Sequence, residues 1–165
     1  MRNRGSTPPM TRSDHTTSHF MPLHLIKLCV GADSIGDLEH WISTRLDEML
    51  RAGEPPEQRH TTRMVPKRVD ELLEGGSLFW VIRGQLAARQ ALLGVRPFTD
   101  EGGISRCHLV LAPQVIPVSP RPCRPFQGWR YLPSDAAPPD LDSIGYDVIA
   151  MPEPLRRELR DLGLL

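Results

Sequence analysis

Apolar positions along the chain fall into two rhythms. His24-Leu25-Ile26-Lys27-Leu28-Cys29-Val30 is a mostly apolar run that stops at Gly31, which predicts a buried strand. Leu38, Trp41, Ile42, Leu46, Met49 and Leu50 then recur with a period of about 3.6, the spacing of one helix face. Ser34 stands three residues before Asp37, as in a capping box with Asp in place of Glu, and Gly53 sits where a helix-ending glycine belongs. The pattern predicts a helix from about 34 to 52, one face on the core and Asp37, Glu39, Asp47 and Glu48 outward.

Beyond the loop Glu54-Pro55-Pro56-Glu57 the elements shorten. Thr61 to Met64 reads as a short strand. Pro66 suits the first turn of a helix whose apolar side is Val69, Leu72 and Leu73, with Gly75-Gly76 as its stop. Ser77 to Arg83 has high strand propensity; Leu78, Trp80 and Ile82 point one way and Phe79 and Val81 the other, so both faces need cover. Gln85 to Val95 has the composition of a helix, but Gly84 and the preceding strand favour a hairpin return, so it is read as strand. Arg106 to Leu111 is a further strand. Val115 to Val118 is a short one, placed at an edge by Pro117. From Pro120 to Pro139 prolines dominate, predicting an extended surface segment. Leu155, Leu159 and Leu162 mark a last short helix before Gly163.

These elements predict a single α+β domain over 22–165, with a mainly antiparallel or barrel-like sheet and one main amphipathic helix packed on it. Residues 1–21 are Ser, Thr, Arg, Pro and His with little apolar content, a composition that predicts a disordered tail. Met10 and Met21 are alternative starts.

The 165 residues suffice for a core without staples, and the net charge of zero means that no global field draws the chain to nucleic acid or membrane. The charge is nevertheless segregated. Residues 59–96 hold seven Lys or Arg against three acids, whereas 33–57 hold seven acids against two arginines. Three cysteines, Cys29, Cys107 and Cys123, without CxxC spacing fit reduced thiols in the cytoplasm better than a disulfide framework. Cys107-His108 alone does not supply the roughly four ligands of a zinc site, so no metal or cofactor is expected. The apolar runs fall well short of the ~18 residues of a membrane span, and the N-terminus has no signal-like apolar region.

Two segments carry candidate chemistry. His60, Arg63, Lys67 and Arg68 can form an anion site if the helix opening at Pro66 lends its N-terminal N–H groups; the alternative is a solvated basic turn. Gln127, Trp129 and Arg130, in Phe126-Gln127-Gly128-Trp129-Arg130-Tyr131, combine stacking faces, a base-reading amide and a phosphate-pairing guanidinium, as in single-strand recognition. The alternative use of Trp129 and Tyr131 is to pin the proline-rich segment to the sheet. Catalytic motifs such as GxSxG and HExxH are absent, Asp135, Asp140 and Asp142 read as solubilising, and His108, in a strand, reads as a satisfied core residue. Cys123 lacks an identifiable histidine partner.

His24-Leu25-Ile26-Lys27-Leu28, Thr62-Arg63-Met64-Val65-Pro66-Lys67-Arg68, Gly75-Gly76-Ser77-Leu78-Phe79-Trp80-Val81-Ile82 and Phe126-Gln127-Gly128-Trp129-Arg130-Tyr131-Leu132 together resemble the bacterial family known as domain of unknown function 1489. The resemblance covers roughly residues 22–142 and implies no activity. Element order and charge placement are also similar to PUA-like modules, which implies RNA or modified-base binding by analogy of fold alone. The resulting expectation is a cytoplasmic binding module for RNA or a nucleotide-like anion, without membrane contact. The alternatives are a small enzyme on a phosphorylated or nucleotide substrate, and a protein-interaction domain.

Overall fold

A computed structural model describes residues 21–141 and 150–163. The predicted tail falls almost wholly outside them, as does Asp142. The predicted α+β architecture is present. The strands are β1 (His24–Leu28), β2 (Gln58–Thr62), β3 (Ser77–Ile82), β4 (Gln85–Thr99), β5 (Ser105–Leu111), β6 (Ile116–Pro122) and β7 (Trp129–Leu132). The helices, among the described residues, include α1 (Ile35–Arg51), α2 (Val69–Leu73) and α3 (Glu153–Asp161), with a 3-10 turn at Ser134–Ala136. One sheet runs in the order β2-β5-β4-β3-β1-β7, and β6 pairs with β4 off that path. Among the described residues all ladders are antiparallel except β1–β3, where Leu25 lies opposite Leu78 and Leu28 opposite Val81.

β4 is the strand on which the others are arranged. It leaves β3 through Arg83 and Gly84, both with positive φ (49° and 75°), between the paired residues Ile82 and Gln85. Two such residues form the hairpin turn whose twist matches the strands. Leu86, Ala88, Gln90 and Leu92 alternate inward as the period of a strand requires, which settles 85–95 as strand and carries it on to Thr99. Irregular pairing at Leu86/Ala88 and Leu92/Gly94 bends β4, so its first half pairs with β3 and β6 and its second half with β5.

Both sheet faces are covered, as the alternation in β3 predicts. Leu25, Leu78, Trp80, Ile82 and Leu109 pack with Leu38 and Ile42 of α1 on one face. Ile26, Phe79, Val81, Leu86, Val118 and Leu132 form the opposite layer. Trp80 is a core residue, 3 % exposed, and its Nε1–H donates to Gln90 Oε1 at 2.9 Å while Gln90 Nε2 donates to the Ala112 carbonyl. Helix α1 begins at the predicted cap: the Ser34 hydroxyl accepts from the Asp37 N–H at 3.0 Å.

Several expectations are corrected. The strand expected at Thr61–Met64 lies earlier, at Gln58–Thr62, where it pairs with β5. Pro66 does not open a helix: α2 starts at Val69, has only five residues, and Arg68 in the capping position makes no side-chain cap. The strand expected at 115–118 extends through Pro122, because β4 offers it a partner as far as Gln85. The segment from 120 to 139 is not simply a surface strap, since β7 pairs with β1 inside it. Gly75-Gly76 does stop α2. A Cβ on Gly76 would collide with the carbonyl oxygens of Leu72 and Leu23, so the chain passes β1 closely only as glycine.

Candidate functional site

The sheet curls until its two outer strands approach. Trp129 of β7 donates its indole N–H to the Met64 carbonyl, just beyond β2, at 2.8 Å. The Tyr131 hydroxyl accepts from the N–H groups of Lys67 (2.9 Å) and Arg68 (3.2 Å). The basic segment and the aromatic segment therefore meet, but through hydrogen bonds that join edge to edge.

Trp129 is 6 % exposed, and its ring packs edge-on to Tyr131 with centroids 4.9 Å apart. It forms the wall between two hollows. One, of about 560 Å³, is lined by Lys27, Thr62, Arg63, Arg106, Gln127 and Trp129. The other, of about 450 Å³, has Met64, Lys67, Arg130 and Tyr131 around the same indole. Arg63 and Gln127 are thus separated from Lys67 and Arg130. Arg130 lies over the Phe126 ring at 4.6 Å. Arg68 is engaged in a two-point ion pair with Glu71 and stands over Tyr131 at 5.5 Å. The anion site expected at the start of α2 has no helix of useful length behind it.

His60 lies in neither hollow. It lines a cleft of about 510 Å³ between α1 and the inner face of the curled sheet. Gln58 and His60, two apart on β2, share a strand face, and the imidazole meets Trp80 edge-on with centroids 5.0 Å apart. Lys27 enters from β1, and Trp41, Arg45 and Glu48 from α1. Trp41 reaches the end of β1 because residue 31 is glycine: at its φ of +90°, a Cβ there would stand 2.8 Å from the indole. Among the described residues Lys27 and Arg45 form no ion pair, while Arg59 at the rim stands 3.7 Å from Glu57. Burial first, then the charges of Lys27 and Arg45, lower the His60 pKa to about 4, so the ring is neutral at pH 7. Gln58 and His60 line this cleft, but Gln58 Oε1 and His60 Nε2 themselves are buried away from it and have no hydrogen-bond partner among the described residues.

Lys27 lines both this cleft and the hollow of Arg63. It sits inside an apolar run, and that run hid it: read as a buried strand, His24–Val30 gives no reason to single out a lysine. Arg45 carried a clearer signal. It falls seven residues after Leu38 and three after Ile42, so it stands as an exposed cation beside the inward stripe of α1.

Nucleophilic chemistry finds little support. Burial pushes the Cys29 thiol up to about 11 and raises that of Cys107. No group of three His, Cys, Asp or Glu side chains among the described residues is arranged to hold a metal ion. His108 bonds the Thr61 hydroxyl at 3.0 Å and stacks on Phe98, but it is only partly buried and is not the core residue expected. Asp140 is not a free solubilising group, since it makes a two-point pair with Arg89 at 2.7 and 2.8 Å. No helix of the described residues is long and apolar enough to cross a membrane.

Neither a curated protein nor a solved structure matches the chain. A family model does, over residues 25–165, further toward the C-terminus than the motif resemblance reached. The chain belongs to the family described as protein of unknown function (DUF1489).

Proposed function

We propose that the protein binds RNA or a nucleotide-like anion, and that the ligand's phosphate is held in the cleft between α1 and β2. The carrying observation is the pair Lys27 and Arg45, two cations of one cleft that no acid neutralises by an ion pair among the described residues. Glu48 lines the same cleft and sets the limit of the positive region toward the end of α1. A volume of about 510 Å³ falls in the range of ordinary small-ligand sites, about 300–1,000 Å³. Arg63 and Gln127 extend the surface beyond Lys27 and offer a path for a longer strand. The curled mixed sheet is in keeping with a PUA-like module, a likeness of architecture alone. The three free cysteines favour the bacterial cytoplasm as its location.

A small enzyme on a phosphorylated or nucleotide substrate is the second reading. It draws on one feature, the neutral imidazole of His60 in the lining of a cationic cleft, which is the form a proton acceptor needs.

The test is titration of the full chain with short single-stranded RNA and with mononucleotides at two salt concentrations. Lys27→Gln and Arg45→Gln should each weaken binding and flatten its salt dependence, at an unchanged melting temperature. Arg63→Gln should weaken RNA more than mononucleotides. Absence of binding to wild type overturns the reading, and turnover of a nucleotide panel would favour the enzyme.

A further inference from the structure

The three tryptophans of the chain are used differently. Trp80 and Trp129 are buried, donate their indole N–H groups to Gln90 and to the Met64 carbonyl, and pack edge-on against His60 and Tyr131. Trp41 is 46 % exposed, and among the described residues no aromatic ring and no cation lies over it. Its place is nevertheless fixed, because the outer corner of the six-membered ring rests against Gly31, where a missing Cβ makes room. Trp41 lines the cleft of Lys27 and Arg45. It stands four residues before Arg45 on α1, the spacing of neighbours on one helix face. An inorganic anion would use the cations and leave the indole without a task.

The cationic surface also runs past the cleft. A hollow of about 310 Å³, set among α1, β2 and β5, shares Arg45 and Arg59 with it. The hollow of Arg63 shares Lys27 with the cleft and Thr61 with this smaller hollow. The three therefore meet around β2, the outermost strand of the sheet. Lys27, Arg45 and Arg63 form no ion pair among the described residues. Arg59 stands 3.7 Å from Glu57, whose carboxylate Arg96 already holds at two points. Four cations spread over three adjoining hollows exceed what one phosphate can engage. A nucleic-acid strand carries such repeated charge, and its unpaired bases stack on aromatic rings. The bases of a duplex are stacked on one another and have no face to give to Trp41.

Resting on the anion-binding reading above, we infer that the outer edge of β2 is a track for a single strand of RNA, with phosphates on Lys27, Arg45, Arg59 and Arg63 and one unpaired base stacked on Trp41. Such a track tolerates any sequence, because phosphates and ring faces are common to all four nucleotides. A free mononucleotide engages the cleft alone and binds more weakly than a strand.

Titration of the full chain with oligouridylates, from the mononucleotide to strands of about eight nucleotides, tests this within the span of known single-strand sites. Inorganic polyphosphate and an RNA duplex of the same length are titrated beside them. Affinity should rise about tenfold or more from mononucleotide to longest strand, and the salt slope should reach about −2 or steeper, against about −0.7 for one contact. Arg59→Gln and Arg63→Gln, in hollows on either side of the cleft, should each weaken the strand more than the mononucleotide. The strand should quench tryptophan fluorescence in wild type, and polyphosphate should not. In Trp41→Leu the quenching should vanish, with strand affinity down about fivefold or more. The wild-type quenching needs no variant, so the test stands even if Trp41→Leu fails to fold. If all lengths bind alike with the slope of one contact, the track falls while the anion site stands. If the strand binds without quenching, or no tighter than polyphosphate, stacking on Trp41 falls. A duplex that binds as tightly overturns the assignment to a single strand. If nothing binds, both readings fall together.

Discussion

Trp129 and Met64 sit at opposite ends of the sheet order, yet the indole N–H of one donates to the carbonyl of the other at 2.8 Å. No ladder joins β7 to β2; this bond and the two made by the Tyr131 hydroxyl hold the outer strands together. The aromatic segment thus has a structural task that its composition also suggested, alongside lining two hollows.

Trp129→Phe should keep the packing and lose the N–H, lowering stability by about 1 kcal/mol in a urea titration. Trp129→Ala should cost roughly 3–5 kcal/mol, because the ring is buried. A Trp129→Ala protein that melts normally and loses only a ligand would move the indole from the scaffold into the site.

His60 makes stability depend on pH with a definite sign. Its folded pKa of about 4 lies below the unfolded 6.5, so between these values the unfolded chain binds more protons. The contribution is fully present above pH 6.5 and is lost as pH falls toward 4. Its size is on the order of 3 kcal/mol, from the gap of the two values. His24 and His108 are lowered in the same direction, chiefly by burial and with arginine nearby, so the wild type alone does not isolate the effect. The difference in unfolding free energy between wild type and His60→Phe should change across pH 6.5 to 4 and stay level above it. A constant difference would mean that the imidazole is not held neutral.

Asp140 binds the chain beyond β7 back to the sheet. It takes both oxygens to Arg89, whose guanidinium also donates to the buried Ser77 hydroxyl at 2.8 Å. The flanking Pro139 and Leu141 bond the backbone of β6 at 2.9 and 3.0 Å. Asp140→Asn should cost about 1 kcal/mol or less, since the carboxylate is half exposed. The local effect should be larger than the global one: amide exchange at Ser119 and Leu141 should quicken while the β3 amides stay protected. Uniform quickening would show that the pair stabilises the whole domain instead.

What could be read from the residues depended on how far apart the partners lie. Helix α1 was legible because its cap, stripe and stop are all local, from Ser34 to Gly53. The hairpin β3–β4 was legible for the same reason. β7 was not: Trp129 to Leu132 is four residues among prolines, and its partner is Lys27 and its neighbours at the other end of the chain. The order of the sheet was likewise out of reach, because β1 lies beside β3 although α1 and β2 come between them. Of the cleft, His60 was singled out for its charge-rich neighbourhood, whereas Lys27 lay in a run already assigned to the core and Arg45 in a helix read only for its apolar face. Gln58 gave no signal of its own, since an unmet hydrogen bond exists only once a chain has folded around it.

The parallel pairing of β1 with β3 bears on how the molecule is made. β1 leaves the ribosome before β3 and β7, which flank it in the finished sheet and register with it through Leu78–Val81 and Trp129–Leu132. Until Ser77–Ile82 has been synthesised it has no strand to join, and until Trp129–Leu132 has followed its second edge stays bare. An apolar Leu25-Ile26 segment is thus exposed until those strands have been made, and exposed strand edges invite pairing with other chains. The consecutive strands β3, β4 and β5 can assemble on their own contacts in the meantime, leaving β1 to dock on a platform already standing. Slowed elongation after residue 132 would give that docking time, and truncation before it should send the nascent protein toward aggregates.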